Sequence, residues 1–447
     1  MGKEELEVIM ESAVSYALTG EGLEPESGKA KAKIDEENIS ILPESGNSMI
    51  FPLRDIIRIT AEEYKIYIRV FSGEEAVLSG LGYQFEDFMR VLSGARNELL
   101  LKDMLMNESI RKSGIDGVYT VKDKSGSEKE TGKCELKLGE TGIIIIPEKD
   151  EIRRVPYCDV IGFEEKDCTL SLRLETGEGL ILSRMVRRFD AVKKTISDSM
   201  NELSEKVQSC LKELVPDESP LVLRKVSFFM REGKAARRSD IEGISAPFFL
   251  KIEEKIAFSG IKDEYRFLKD MSRQEKICVG LKRGLMGDLT KEYIWFLIPL
   301  YGTDKKKMGN AVAMESIIGG EGENGEEEEK GRATYFFRIM GRKEYAGINS
   351  MEELDGRTDA FIETMNRCML AINFRREPIY LPEEKLQEPR YVRYRYAIRK
   401  IPSLGVLRNL FIGRVIHSSC DQWKKDVNAL LEFNGKSTDD SAGWHKE

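Results

Sequence analysis

Pro52-Leu53-Arg54-Asp55-Ile56-Ile57 returns as Pro156-Tyr157-Cys158-Asp159-Val160-Ile161, at an offset of 104 residues. The same offset carries Leu42-Pro43-Glu44 onto Ile146-Pro147-Glu148, Gly73-Glu74 onto Gly177-Glu178, and Leu78-Ser79 onto Leu182-Ser183. Phe85 maps onto Phe189, and Asn97-Glu98-Leu99 onto Asn201-Glu202-Leu203. A register shared over this length without gaps means two copies of one module in tandem. Strand, turn and helix residues recur; no nucleophile and no set of metal ligands does. Architecture is therefore more legible than chemistry.

Within each copy, short apolar runs alternate with turn residues. In copy one, Lys31 to Ile34, Asn38 to Leu42, Ser48 to Phe51 and Lys65 to Phe71 read as strands. The last puts Ile66, Ile68 and Val70 on one face, and Tyr67 and Arg69 on the other. Copy two repeats the series with Lys133 to Leu138, Gly142 to Ile146, Ile152 to Val155 and Cys168 to Leu174. Each copy then ends in a helical stripe: Phe85, Phe88, Met89 and Leu92 in the first, and Phe189, Val192, Ile196, Met200 and Leu203 in the second. A curved sheet of short strands has an apolar opening, and such a helix is its natural plug. The expected class is α+β, mainly antiparallel, with tandem small curved sheets or partly open barrels, each closed by a C-terminal helix.

This pattern resembles the pleckstrin-homology-like (PH-like) superfold over residues 31 to 106 and 133 to 212. The resemblance is one of pattern, since no short motif defines that superfold, and it implies a fold generally used to bind peptides, proteins or lipids. Residues 31–112 are read as module 1 and 130–214 as module 2. Residues 1–30 are read as an N-terminal amphipathic helix, over 4 to 18, and a connector.

The repeated Pro-x-x-Asp segment has two readings. Asp55 and Asp159 could be interface acids. Alternatively, Pro starts or edges a strand, Asp holds a turn, and the apolar pair that follows fills core and cross-strand positions. The structural reading is the stronger.

The second half is different. Residues 222–378 carry the strand-then-helix order that a diverged third copy with insertions would give, at no clean offset. Pro247 to Ile252, Glu275 to Leu281, Glu292 to Tyr301 and Arg332 to Ile339 read as strands, and Asp359 to Phe374 as a helix. Residues 319–331 form an acidic, glycine-rich stretch expected to be disordered. Two segments are basic. One contains Arg231, Lys234, Arg237 and Arg238. The other, 390–400, interleaves Arg with Tyr. Read as a strand, it places Tyr391, Arg393, Arg395 and Arg399 on one face. These eight residues are the candidate interaction residues. Residues 388–435 are read as a strand plus helical segments, and 436–447 as a flexible tail.

Composition bounds the function classes. The chain has 447 residues, 41% apolar and 33% charged, with a net charge of −8. That balance suits a globular protein and disfavours a general nucleic-acid binder. Seven cysteines lie without close pairs, which fits buried free thiols in a reducing compartment. With no hydrophobic leader or membrane-length run, a cytoplasmic location is expected. His417-Ser418-Ser419-Cys420 juxtaposes base and nucleophile in sequence but lacks a nucleophile elbow. No zinc, calcium, Walker or Rossmann pattern is complete. The leading expectation is a non-enzymatic interaction or regulatory scaffold with a protein partner and no cofactor. The two copies lack a shared Lys/Arg cluster beside their early strands, which disfavours phosphoinositides. The alternative is a nucleic-acid-associated protein using 231–238 and 390–400, with anionic lipid a further option for the latter. A hydrolase with an unrecognised site is third.

Overall fold

The computed structural model describes residues 7–20, 25–103, 109–148, 152–285, 288–303, 310–319, 332–436 and 443–444. The acidic stretch expected at 319–331 lies almost wholly outside them.

The first sheet has seven antiparallel strands: β1 Met10–Thr19, β2 Glu26–Ile34, β3 Asn38–Pro43, β4 Met49–Pro52, β5 Ile56–Glu62, β6 Lys65–Val70 and β7 Glu75–Ser79. Their spatial order is β4-β3-β2-β1-β7-β6-β5, so two meanders are joined where β1 pairs with β7. Helix α1 (Phe85–Asp103) packs Phe85, Phe88, Leu92 and Leu99 into one core with Ile34, Ile39, Ile66 and Ile68. The second sheet repeats the order with β8 Ile110–Lys122, β9 Glu128–Gly139, β10 Gly142–Pro147, β11 Arg153–Pro156, β12 Val160–Lys166, β13 Thr169–Leu174 and β14 Gly179–Ser183. Helix α2 (Phe189–Leu214) closes it through Phe189, Val192 and Ile196. From β3 to the start of α1, and from β10 to the start of α2, the strand boundaries keep the 104-residue offset.

The repeated Pro-x-x-Asp segment forms one tight helical turn in each copy, Leu53–Asp55 and Tyr157–Asp159. It carries the chain from one end of the sheet's strand order to the other and buries Leu53 and Tyr157. Of the following apolar pair, Ile56 and Val160 enter the core, whereas Ile57 and Ile161 are exposed. Of the expected core and cross-strand positions, the first residue of the pair takes the core one, and alternation along the strand sends the second side chain outward.

Residues 10–18, expected within an N-terminal helix, belong to strand β1. Its burial alternates, with Ser12, Val14 and Tyr16 inward, and it pairs with β2 from Met10↔Ile34 onward. Part of the expected connector is likewise strand β2. Both modules thus begin earlier than the repeat suggested, the second at β8. Two-residue hairpins at Glu63-Tyr64 and Asp167-Cys168 have positive φ at both positions, the backbone that matches strand twist. None of the four is Gly or Asn, so the usual hairpin signal was absent.

The third sheet runs β15 Ala236–Arg237, β16 Cys278–Leu285, β17 Asp288–Tyr301, β18 Asn310–Gly319, β19 Ala333–Phe337 and β20 Phe411–Ile416, in that spatial order. It does not repeat the module's strand order, so the reading as a third copy is not carried into the fold. Its strands are apolar on both faces. In β17, Ile294, Phe296 and Ile298 join one core and Trp295, Leu297 and Tyr301 the other. A sheet buried on both sides needs helices on both. On the first face lie α3 (Pro220–Phe229), α4 (Ala246–Phe258), α5 (Lys262–Met271) and α9 (Cys420–Lys436). On the second lie α6 (Met351–Ala371), α7 (Val392–Lys400) and α8 (Pro402–Leu410).

Three expectations are overturned in this region. Residues 247–252 are helix α4, since Pro247 sits in its first turn, where a missing N–H costs nothing. Residues 390–400 are not a strand but a helical turn and α7, because Tyr394, Ala397 and Ile401 are buried at helical spacing. Residues 411–416, expected to be helical, form strand β20 against β19. In the expected flexible tail, Trp444 donates its backbone N–H to Ile412 and packs beside the first-face core.

Helix α2 has 26 residues against 19 in α1. The excess matters. Val207, Leu211 and Leu214 leave module 2 and enter the first-face core of the third domain. Full burial of each such side chain is worth about 1.5–3 kcal/mol. We expect Leu211→Ala to cost about 2–5 kcal/mol and to speed hydrogen exchange in β16 to β19. Ile196→Ala, on the same helix, should instead loosen β8 to β14. Unchanged exchange in the third sheet of the Leu211 variant would refute this division of the helix.

Candidate interaction surface

The basic residues singled out in the sequence are mostly engaged within the chain. Arg231 donates from Nη1 to the Val160 carbonyl of module 2 at 3.0 Å, and its guanidinium lies 4.4 Å from the Phe228 ring centroid. Lys234 pairs with Glu175, also of module 2. Arg237 pairs with Asp359 at 2.9 Å. Arg238 pairs with Glu242 at 2.8 Å and lies over Phe249. In the second segment, Arg399 reaches module 1, 3.6 Å from Asp55 and 4.5 Å from the Phe71 ring centroid. Arg395 donates to Gln387 at 2.8 Å. Arg393 lies over Tyr394, which stacks with Tyr391. The two segments therefore meet different modules.

The docking corners are equivalent. Asp55 corresponds to Asp159, and Phe71 to Glu175. In each copy the second residue donates its N–H to the carbonyl of the first at 2.8 Å. Module 1 offers Asp55 and Phe71 to Arg399; module 2 offers Glu175 to Lys234. The adjoining strand carbonyl is capped by arginine in both copies. Ile56 accepts from Arg96 of α1 at 3.0 Å, and Val160 from Arg231 of the third domain. The repeated segment is thus a turn in both copies, and Asp55 and the Val160 carbonyl also meet the third domain.

Electrostatics at these corners follow burial. Burial pushes the Asp159 carboxyl above the ordinary aspartate value, against the pull of Lys234. It also pushes up Asp103, although Arg54 donates to that carboxylate at 2.6 Å. Cys158 is raised well above an ordinary thiol by burial, with Glu232 and Asp159 adding to it.

The other chemically suggestive cluster is His417. Its Nε2 faces Glu315 Oε2 at 2.9 Å and Thr334 Oγ1 at 3.2 Å, and its ring stacks on Trp423. A catalytic triad uses the two ring nitrogens in opposite directions. Here one nitrogen serves both partners, and Trp423 donates to the same Thr334 hydroxyl. The cluster pins β18, β19, β20 and α9 together. Sequence spacing missed it because Glu315 lies 102 residues away. Among the described residues, no group of three or more His, Cys, Asp or Glu could hold a metal. No described helix is long and apolar enough to cross a membrane.

One surface combines exposed apolar side chains with cations that have no carboxylate partner among the described residues. Leu221, Arg224, Lys225, Phe228 and Phe229 of α3, with Ile244, line an open groove of about 390 Å³. The sequence signal was present at Phe228-Phe229 within the basic stretch, but helical phase was needed to separate its exposed residues from Leu223 and Val226 beneath.

No family model matches this chain, and no curated protein matches it in sequence. Solved structures similar to part of it include the N-terminal PH domain of human ARAP2, at 16% identity and a TM-score of 0.18, covering 23% of this chain and 90% of that one. The Spt16D–Pob3N heterodimer is similar at 12% identity and a TM-score of 0.16, covering 38% of this chain and 85% of the matched one. Scores this low add nothing to the strand orders described above. The repeated sheets, antiparallel strands closed by a C-terminal helix, are consistent with a PH-like fold in general terms only.

Two expectations follow. A native carboxyl raised above its unfolded value binds more protons when folded, so its contribution to stability falls as pH rises through that window. Asp159→Asn should therefore gain stability relative to the parent as pH increases from roughly 4 towards neutrality, read from denaturant midpoints; a constant difference would contradict it. Thiol alkylation should begin at exposed Cys168. Cys158, raised well above an ordinary thiol, and Cys134, Cys278 and Cys368, each pushed up to about 12 mainly by burial, should react last. Peptide mapping after brief iodoacetamide treatment gives the order.

Proposed function

We propose that this chain is a non-enzymatic, cytoplasmic protein-interaction scaffold built from tandem PH-like modules fixed on a third domain. The observation that supports it is the recurrence of the docking corner. The same corner of both copies meets basic side chains of the third domain, through Asp55 and Phe71 in the first and Glu175 in the second. Modules held this way present their remaining faces in a set relation, which raises the effective concentration of a second contact after the first. The leading basic candidates are occupied by these internal contacts, which leaves the nucleic-acid alternative with less free charge. Lys31 and Lys33, beside the early strands of module 1, both pair with Glu11.

Purification of the full chain from its host, with mass spectrometry and ultraviolet absorbance, tests this. A stoichiometric protein partner is expected, retained at high salt and reduced in the Lys234→Glu/Arg399→Glu variant. Copurifying nucleic acid released by salt would overturn the scaffold reading in favour of the basic-segment alternative.

A further inference from the structure

We infer that the α3 groove is the docking site for an acidic amphipathic helix of a partner protein; this deepens the scaffold reading and rests on it. Helix α3 is apolar on two faces. Leu223, Val226 and Met230, just past its end, are buried in the first-face core. Leu221, Phe228 and Phe229 point the other way, 62%, 50% and 38% exposed. An isolated exposed leucine means little, but several around one concavity mark an interaction site. The two phenylalanine rings meet edge to face at 5.7 Å, and Arg231 covers part of Phe228, so the aromatic wall is held in place.

The occupant's chemistry follows from charge and shape. Arg224 and Lys225 are exposed on the rim beside the apolar walls, and no described carboxylate pairs with either. Leu221, Arg224, Lys225 and Phe228 stand at i, i+3, i+4 and i+7, so apolar and cationic groups share one helical face. A helix laid across them would place apolar anchors at the same spacing in the groove and carboxylates over the cations. A concave volume of about 390 Å³ receives protruding side chains. A polybasic membrane or nucleic-acid site needs more cations than two.

The test uses the full chain and a labelled peptide of about twenty residues, long enough to form a helix, with Leu at i, i+3, i+4 and i+7 and Glu flanking them. A peptide of the same composition in scrambled order is the control. Fluorescence anisotropy should show saturable binding of the first peptide above the second. Leu221→Ser and Arg224→Glu/Lys225→Glu should each weaken it by about tenfold or more. A Lys-flanked peptide should bind the charge-reversed variant better than the parent. All substituted side chains are exposed, and unchanged thermal unfolding separates lost docking from lost fold.

Equal binding of both peptides, or binding that the variants leave intact, overturns the inference. Phosphatidylserine vesicles cosedimenting with the chain and losing it in the same variants would assign the groove to membrane instead. Concentration-dependent dimerisation abolished by Leu221→Ser would assign it to a second copy. A native protein partner retained undiminished by Leu221→Ser would sink this site while leaving the scaffold standing. Failure of the wild-type chain to hold any protein partner would sink the scaffold reading itself.

Discussion

The continuity of α2 is the constraint on which the rest of the arrangement depends. A helix of 26 residues spans about 39 Å at 1.5 Å per residue. Its first half supplies the plug of the second module, and its last turns supply Val207, Leu211 and Leu214 to another core. Neither half can shift without exposing apolar surface at one end. Most connections between domains are polar and hinge-like. This one is a rigid element sharing two hydrophobic cores, so the orientation of module 2 on the third domain is set by packing rather than by surface charge.

Module 1 is held by weaker means. The end of α1 packs near α7, and the contact is completed by Arg399 at Asp55 and Phe71. Partly exposed ion pairs of this kind are worth about 0–1 kcal/mol each. A contact between Arg399 and an exposed ring adds a similarly modest amount. The same corner of the module is therefore used twice with unequal strength: beside a shared helix in copy two, and mainly through surface side chains in copy one. If either module reorients, physical reasoning selects the first.

Much of this fold was legible in the sequence, and particular residues show why the rest was not. Alternation at Ile66, Ile68 and Val70, and the helical stripe at Phe85, Phe88 and Leu92, placed strands and plug correctly because the apolar residues are large and their period is clean. Strand β1 failed on both counts. Its inward positions include Ser12, and nearby apolar residues happened to fall at helical spacing. The segment 390–400 alternates Arg with Tyr, which suits a period of two. Burial of Ala397, the smallest residue there, with Tyr394 and Ile401, decides for the helix. Pairings between Arg399 and Asp55, or His417 and Glu315, join residues too distant for any local pattern to reveal.

The partition of charge also explains why a basic stretch is a poor guide to function in such a chain. Of the cations between 224 and 238, those nearest the strands are taken up by module 2 or by acids of the third domain. Arg231, Lys234, Arg237 and Arg238 each have a defined internal acceptor. Arg224 and Lys225 lie on α3, one turn or more before those contacts begin, and their neighbours on that face are apolar. Sequence density alone would rank the engaged residues first. Helical phase reverses the ranking: the cations still able to attract a partner are those whose own element turns its second apolar face to solvent.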